Sequence, residues 1–225
     1  PRFFQRRCKK RRKPVILTPE IRKEEMGLRR GTGVLLAAAL CFALLPRADA
    51  AEVTVSAQSA VLMEAESGRV LYAKDADTPR LIASTTKLMT ALVALESGHS
   101  LEEDVTIPAE AAGVEGSSLY LKTGETVKLK TLLYGMLLHS GNDAATAVAL
   151  TCAGSLKAFA QKMNEKAQQL GMTNSHFTNP TGLDGEEHYS SAYDMALLAR
   201  ACLDVPELKE ITATRSTTME GRTFV

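Results

Sequence analysis

The sequence predicts an α+β fold, and three observations carry that prediction. Short extended segments separated by glycines sit near both ends of the body of the chain, at residues 60–64 and 69–73 and again around Thr218 and Thr223. Between them run long stretches with the apolar spacing of helices, and strands and helices in separate runs are the mark of α+β rather than alternating α/β architecture. With 225 residues, 45% of them apolar, the chain is long enough to bury a real core.

The elements follow in order. Ala60-Val61-Leu62-Met63-Glu64 and Arg69-Val70-Leu71-Tyr72-Ala73 flank Ala65-Glu66-Ser67-Gly68, a hairpin with a glycine turn. Thr78-Pro79-Arg80 breaks the chain ahead of an amphipathic helix that begins at Ser84 and stops at Ser97-Gly98. Three short extended pieces, 105–107, 118–121 and 127–129, are separated by Gly116 and Gly124. A helix over 130–138 is interrupted by His139-Ser140-Gly141-Asn142, and a second covers 143–152. Gly154-Ser155 opens a third, which Gly171 ends. Residues 174–188 form a loop rich in Pro, Gly and Asn; Ser190 or Ser191 then caps a helix over 192–203, and Pro206 starts a short one.

Charge divides the chain. The first 50 residues hold 13 Lys/Arg and 4 Asp/Glu, so of 27 basic and 26 acidic residues the remainder keeps 14 and 22, a net charge of −8. Nucleic-acid binding would rest wholly on Arg6-Arg7 and Lys9-Lys10-Arg11-Arg12-Lys13, a tail without globular pattern, and is excluded as a reading of the body. Residues 1–25 read as a basic upstream extension. Residues 26–50 combine Met26-Gly27-Leu28-Arg29-Arg30, an apolar run over 33–45 and Ala48-Asp49-Ala50, the pattern of a secretory signal peptide cleaved before Ala51. The apolar run is too short for a membrane anchor, which needs about 18 residues. The expected location is the cell envelope, on the outer side of the cytoplasmic membrane.

Residues 51–225 then hold the catalytic candidate. Its cysteines, Cys152 and Cys202, read as small buried residues on separate helices, with pairing in an oxidising compartment left open. No Cys-x-x-Cys and no His-x-x-x-His occurs, so no metal is expected, and nothing calls for a cofactor.

Ser84-Thr85-Thr86-Lys87 is the focus. Three residues apart on a helix, Ser84 and Lys87 share a face, and the amine can take the hydroxyl proton that keeps serine a poor nucleophile. In the first turn, free N–H groups and the positive helix end can hold an oxyanion, while that field together with burial lowers the lysine pKa. One Ser-x-x-Lys is expected by chance in a chain this rich in serine. The second motif, Ser140-Gly141-Asn142, lies at a break between helices where a hydroxyl can relay a proton and an amide can bind a substrate peptide.

Together the two motifs resemble those of the serine D-alanyl-D-alanine carboxypeptidases among the low-molecular-mass penicillin-binding proteins. The resemblance runs from about Ser59 to the end. It includes Ala83 through Thr90, Ser140-Gly141-Asn142-Asp143-Ala144, Met163-Asn164, Leu170-Gly171-Met172 and Phe177-Thr178-Asn179-Pro180-Thr181-Gly182-Leu183, in the family's order and approximate spacing. It implies a serine β-lactamase/penicillin-binding transpeptidase-like fold, a helical subdomain against an antiparallel sheet. It also implies that Ser84 attacks the peptide bond between the terminal D-alanines of a peptidoglycan stem peptide, with β-lactam antibiotics as the other partner. Lys87 would be the base, Ser140 the proton relay, Asn142 the substrate-amide ligand, and the Ser84 N–H half of the oxyanion hole.

The family's Lys-Thr-Gly strand, expected well after Ser140, does not occur before Val225; Lys122-Thr123-Gly124 precedes Ser140 and reads as a turn with the same letters. The expectation is therefore a truncated chain whose C-terminal strands are missing, with doubtful activity. Loss of one oxyanion donor alone slows such a reaction by roughly 10²–10³-fold. Membrane contact would come only through that missing part. Two other readings stand beside this one. A class A-like β-lactamase needs a deacylating glutamate, for which Glu165 and Glu186-Glu187 are the candidates, in the wrong context. An inactive exported fragment would at most bind cell-wall peptide. His139 reads as a helix-end residue rather than a base.

Overall fold

The computed structural model describes residues 53–225; the upstream extension and the signal-peptide segment lie outside the described residues. Six α-helices and three two-stranded antiparallel ribbons make up the described part. The hairpin falls where the sequence places it, β1 (Ala60–Met63) against β2 (Val70–Lys74). Its turn is closed by the Glu64 carboxylate, which accepts from the backbone N–H groups of Glu66 and Ser67.

A 3₁₀ turn, Ala83–Thr86, leads into α1 (Lys87–Glu96). Ser84 thus sits on the tight turn ahead of the α-helix rather than in its first turn, and the helix proper begins at Lys87. Further on, β3 (Asp104–Thr106) pairs with β4 (Thr126–Lys128) in register Val105 to Val127. The expected third extended piece, 118–121, is irregular instead: its backbone N–H groups are bound by a side chain, not by a neighbouring strand.

Then come α2 (Leu129–Leu138), α3 (Asn142–Ala153), α4 (Leu156–Leu170), α5 (Ala192–Leu203) and α6 (Pro206–Ala213), and the ribbon β5 (Thr217–Met219) and β6 (Arg222–Phe224). Gly154 and Gly171 end α3 and α4 in the left-handed conformation that glycine reaches without strain. The strands form three separate ribbons among the described residues, not one sheet, because each pairs only with its neighbour in sequence.

The core is helical. α3 is buried continuously from Asn142 to Ala149, and its alanines at 144, 145, 147 and 149 let neighbouring helices approach closely. α1 packs on α2, α3, α4 and α5, contributing Met89, Leu92 and Val93. Phe159 and Met163 enter from α4, Leu132, Leu133 and Met136 from α2. α5 backs the hairpin, and Arg200 reaches over to donate to the carbonyls of Ala65 and Glu66. Cys152 on α3 and Cys202 on α5 are free thiols, the latter buried, and burial pushes the Cys202 thiol up to about 11.

Two substitutions separate packing from capping. Phe159→Ala should cost about 3–5 kcal/mol by denaturant unfolding. Ser155→Ala, which removes the hydroxyl that accepts from the Ala158 N–H at 3.1 Å, should cost only about 1 kcal/mol.

Candidate active site

Helix α1 sets the first half of the site. Lys87 is 2% exposed, and its Nζ donates to Ser84 Oγ at 3.1 Å and to the Thr181 carbonyl at 2.7 Å. Burial brings the Lys87 amine down from its ordinary value to about 8. Desolvation alone drives that shift, where the sequence suggested a helix-end field as well.

A cavity of about 400 Å³ opens on this pair, lined by Ser84, Thr85, Lys87, Leu88, Ser140 and Thr212 with the apolar 136–138 end of α2. Ser140 lines the cavity, yet its hydroxyl makes no hydrogen bond to Ser84 or Lys87. No acidic residue lines the cavity among those described; Glu165 lies on the exposed face of α4, bonded to Gln161, and Glu186 and Glu187 are exposed. Lys122-Thr123-Gly124 forms a turn anchored by Gly124 N–H to the Ile107 carbonyl and does not line the cavity.

Asn142 opens α3, buried to 5% exposure. Its Nδ2 donates to the Glu115 carbonyl at 2.6 Å, and its buried Oδ1 has no partner. Ser84, Lys87 and Ser140, the expected catalytic residues, line one cavity. Asn142 instead faces the 115–117 segment one turn away.

Asp143 lies within the matched stretch 140–144, where it was assigned no role. Fully buried, its carboxylate accepts from Ser118 Oγ at 2.6 Å and from the N–H groups of Leu119 and Leu121 at 2.9–3.0 Å. One carboxylate therefore does for the 118–121 segment what a strand partner would have done. Its signals in sequence were its place in that stretch and its position at a helix start, the latter common enough for reasons of the helix dipole alone. The loop ahead of α5 supplies more unforeseen groups. The Asn179 side chain accepts from the N–H groups of Thr181 and Gly182, and Thr90 Oγ1 holds the Pro180 carbonyl at 2.7 Å. His139 ends α2, its N–H bonded to the Gly135 carbonyl.

Three non-glycine residues near these groups, Ala83, Tyr120 and Ser140, take left-handed backbone conformations with φ between 46° and 59°. Such strain collects at functional sites. At Gly182, φ is +83° and a Cβ would collide with the Ala83 carbonyl, so only glycine fits.

Solved structures of similar fold belong to the penicillin-binding proteins. Penicillin-binding protein 5 of Haemophilus influenzae superposes with a TM-score of 0.73 at 34% identity, over 78% of this chain and 53% of that one. The D-alanyl-D-alanine carboxypeptidase of Mycobacterium tuberculosis H37Rv gives 0.74 at 32% identity, over 81% and 70%. Residues 46–224 match the family model of D-alanyl-D-alanine carboxypeptidases, and the chain belongs to that family of serine hydrolases. Among curated relatives, DacF of Bacillus subtilis is 42% identical over 167 residues, 72% of this chain and 43% of its own length. DacA of Escherichia coli K12 is 39% identical over 207 residues, 83% and 51%. The chain spans about half the length of these curated relatives.

Asp143→Ala leaves the Leu119 and Leu121 N–H groups without their acceptor. Denaturant unfolding should show a loss of at least about 1–3 kcal/mol. Asp143→Asn should recover little, because its amide turns a donor toward donors.

Proposed function

We propose that the protein removes the terminal D-alanine from peptidoglycan stem pentapeptides through an acyl-enzyme on Ser84, and that penicillins acylate the same oxygen. The observation that carries this is the buried Lys87 amine, 3.1 Å from Ser84 Oγ and lowered to about 8. At neutral pH about one amine in ten is then unprotonated and able to act as a base. Ser84 Oγ attacks the carbonyl between the two D-alanines as its proton passes to Lys87 Nζ. The tetrahedral intermediate collapses as the C–N bond breaks, and the proton returns through Ser140 to the departing amine. Lys87 then draws a proton from water, which hydrolyses the ester and frees Ser84. The Ser84 N–H holds the oxyanion, and the Asn142 side chain, which in the free chain donates to the Glu115 carbonyl, turns its unpaired Oδ1 to the substrate's amide N–H.

Family membership and the relatives, which are D-alanyl-D-alanine carboxypeptidases by name, support the substrate class. The absence of an acidic residue from the cavity lining, among the described residues, favours this reading over a β-lactamase. No acid is placed there to drive fast deacylation. Export to the cell envelope rests on the basic, apolar and small-residue pattern of residues 26–50.

Intact-mass spectrometry of the chain after exposure to benzylpenicillin tests the proposal. The expected result is one stable adduct, mapped to Ser84 and absent from Ser84→Ala. Its formation rate should rise about tenfold per pH unit up to about 8 and level above, because only the neutral amine is a base. Rapid turnover of penicillin without a persistent adduct would favour a β-lactamase. No adduct on folded protein would count against the acylation reading.

A further inference from the structure

We propose that His188 is a positioning residue for the Ser84–Lys87 pair, its neutral ring tying Thr86 to Thr178 and so fixing the Thr181 carbonyl against the Lys87 amine. The inference rests on the acylation reading for its importance, but not for its geometry.

His188 lies at the end of the loop ahead of α5, 1% exposed. The Thr178 backbone N–H meets its Nδ1 at 3.1 Å. A backbone N–H can only donate, so Nδ1 presents a lone pair and the ring proton resides on Nε2. Nε2–H then donates to Thr86 Oγ1 at 2.8 Å. Asn179 Nδ2 at 3.4 Å also faces Nδ1, and Thr178 Oγ1 at 3.3 Å can donate to it, so a second ring proton would meet the N–H donors of Thr178 and Asn179. Of the charged groups nearby, His176 opposes a positive ring and Asp184 favours one, while burial outweighs both and holds the imidazole below its ordinary value. The Phe177 ring packs edge-on at 5.8 Å.

Thr86 immediately precedes Lys87, and Thr90 lies one turn further along the same face. The loop is therefore pinned on either side of the lysine, at Thr86 by His188 and at Thr90 by the Pro180 carbonyl, with the Thr181 carbonyl between them. A neutral amine carries two N–H groups and one lone pair. With one N–H committed to Thr181, rotation about the Cε–Nζ bond is restricted and the lone pair can stay on Ser84 Oγ. His188 touches neither reacting atom and acts through the loop alone.

The test compares wild type with Thr86→Val, His188→Leu and His188→Gln, each first shown folded by circular dichroism and melting. The Lys87 amine is titrated through its ¹³Cε shift, and the His188 ring through its nitrogen shifts. The expected wild-type ring is neutral with Nε2 protonated at pH 7. In Thr86→Val, which keeps the shape and loses only the hydroxyl, water reaches the amine and its pKa rises by about one unit or more. His188→Leu should behave alike. His188→Gln places an amide donor near the former Nε2 and should hold the amine close to its wild-type value. Acylation by a fluorescent penicillin at pH 7 should fall about tenfold or more in Thr86→Val and recover toward wild type in His188→Gln. An Nδ1-protonated ring, or folded Thr86→Val with an unchanged Lys87 titration, overturns the proposal. A wild-type chain that takes no penicillin overturns the acylation reading instead, and the Lys87 titration still decides this one.

Discussion

The site depends on keeping an amine in a place where a charged one is costly. Lys87 has no carboxylate beside it; its two partners are a hydroxyl and a backbone carbonyl, both neutral. Taking an ammonium out of water without an opposite charge favours loss of the proton, and this alone brings the amine to about 8. A partner such as Asp143 placed here would have restored the charge and removed the base. Instead that carboxylate is turned to the 118–121 segment, where it satisfies backbone N–H groups.

Rigidity around the lysine comes from side chains holding backbone rather than from sheet. The 118–121 segment hangs on Asp143, and the turn at Thr181-Gly182 on Asn179. Gly182 fits under the Ala83 carbonyl only because it has no Cβ, and Ala83 itself is left-handed immediately before Ser84. Strained backbone therefore sits directly beside Ser84 and at Ser140 on the same cavity. A well-packed helical core, with α3 buried through its first two turns, is what can hold such conformations in place.

Much of the fold was legible because its signals are local. Glycines after Ala153 and Leu170 and the serine caps of α4 and α5 each speak through neighbouring residues, and those elements appear within a residue or two of expectation, while α1 starts three residues late, behind a 3₁₀ turn. Ser84, Lys87 and Ser140 were legible as motifs, and they line one cavity. What sequence reading missed was tertiary. Residues 118–121 have strand-like composition but receive a carboxylate in place of a strand partner. Thr181 contributes its carbonyl, which every residue has and no motif can mark. His188 and Thr86 are 102 positions apart and polar residues of ordinary kind, so nothing short of the folded chain pairs them. Asn142 was expected to hold the substrate's amide, while in the structure it turns toward Glu115, where Gly116 passes so close that a Cβ would crowd its amide.

The same separation explains why Ser-x-x-Lys alone is weak evidence of chemistry. Along an isolated helix Ser84 and Lys87 are neighbours, but there the lysine is solvated and protonated, and a protonated amine accepts nothing. Lowering it from 10.5 to about 8 raises the neutral fraction at pH 7 by roughly 300-fold. That factor comes from burial under a loop 94 residues away in sequence, the loop that Thr90 and Thr86 pin. Spacing brings the two side chains together, and tertiary closure lowers the pKa of one of them. The motif gains the low-pKa lysine that the proposed chemistry requires only in a chain that has already folded over it.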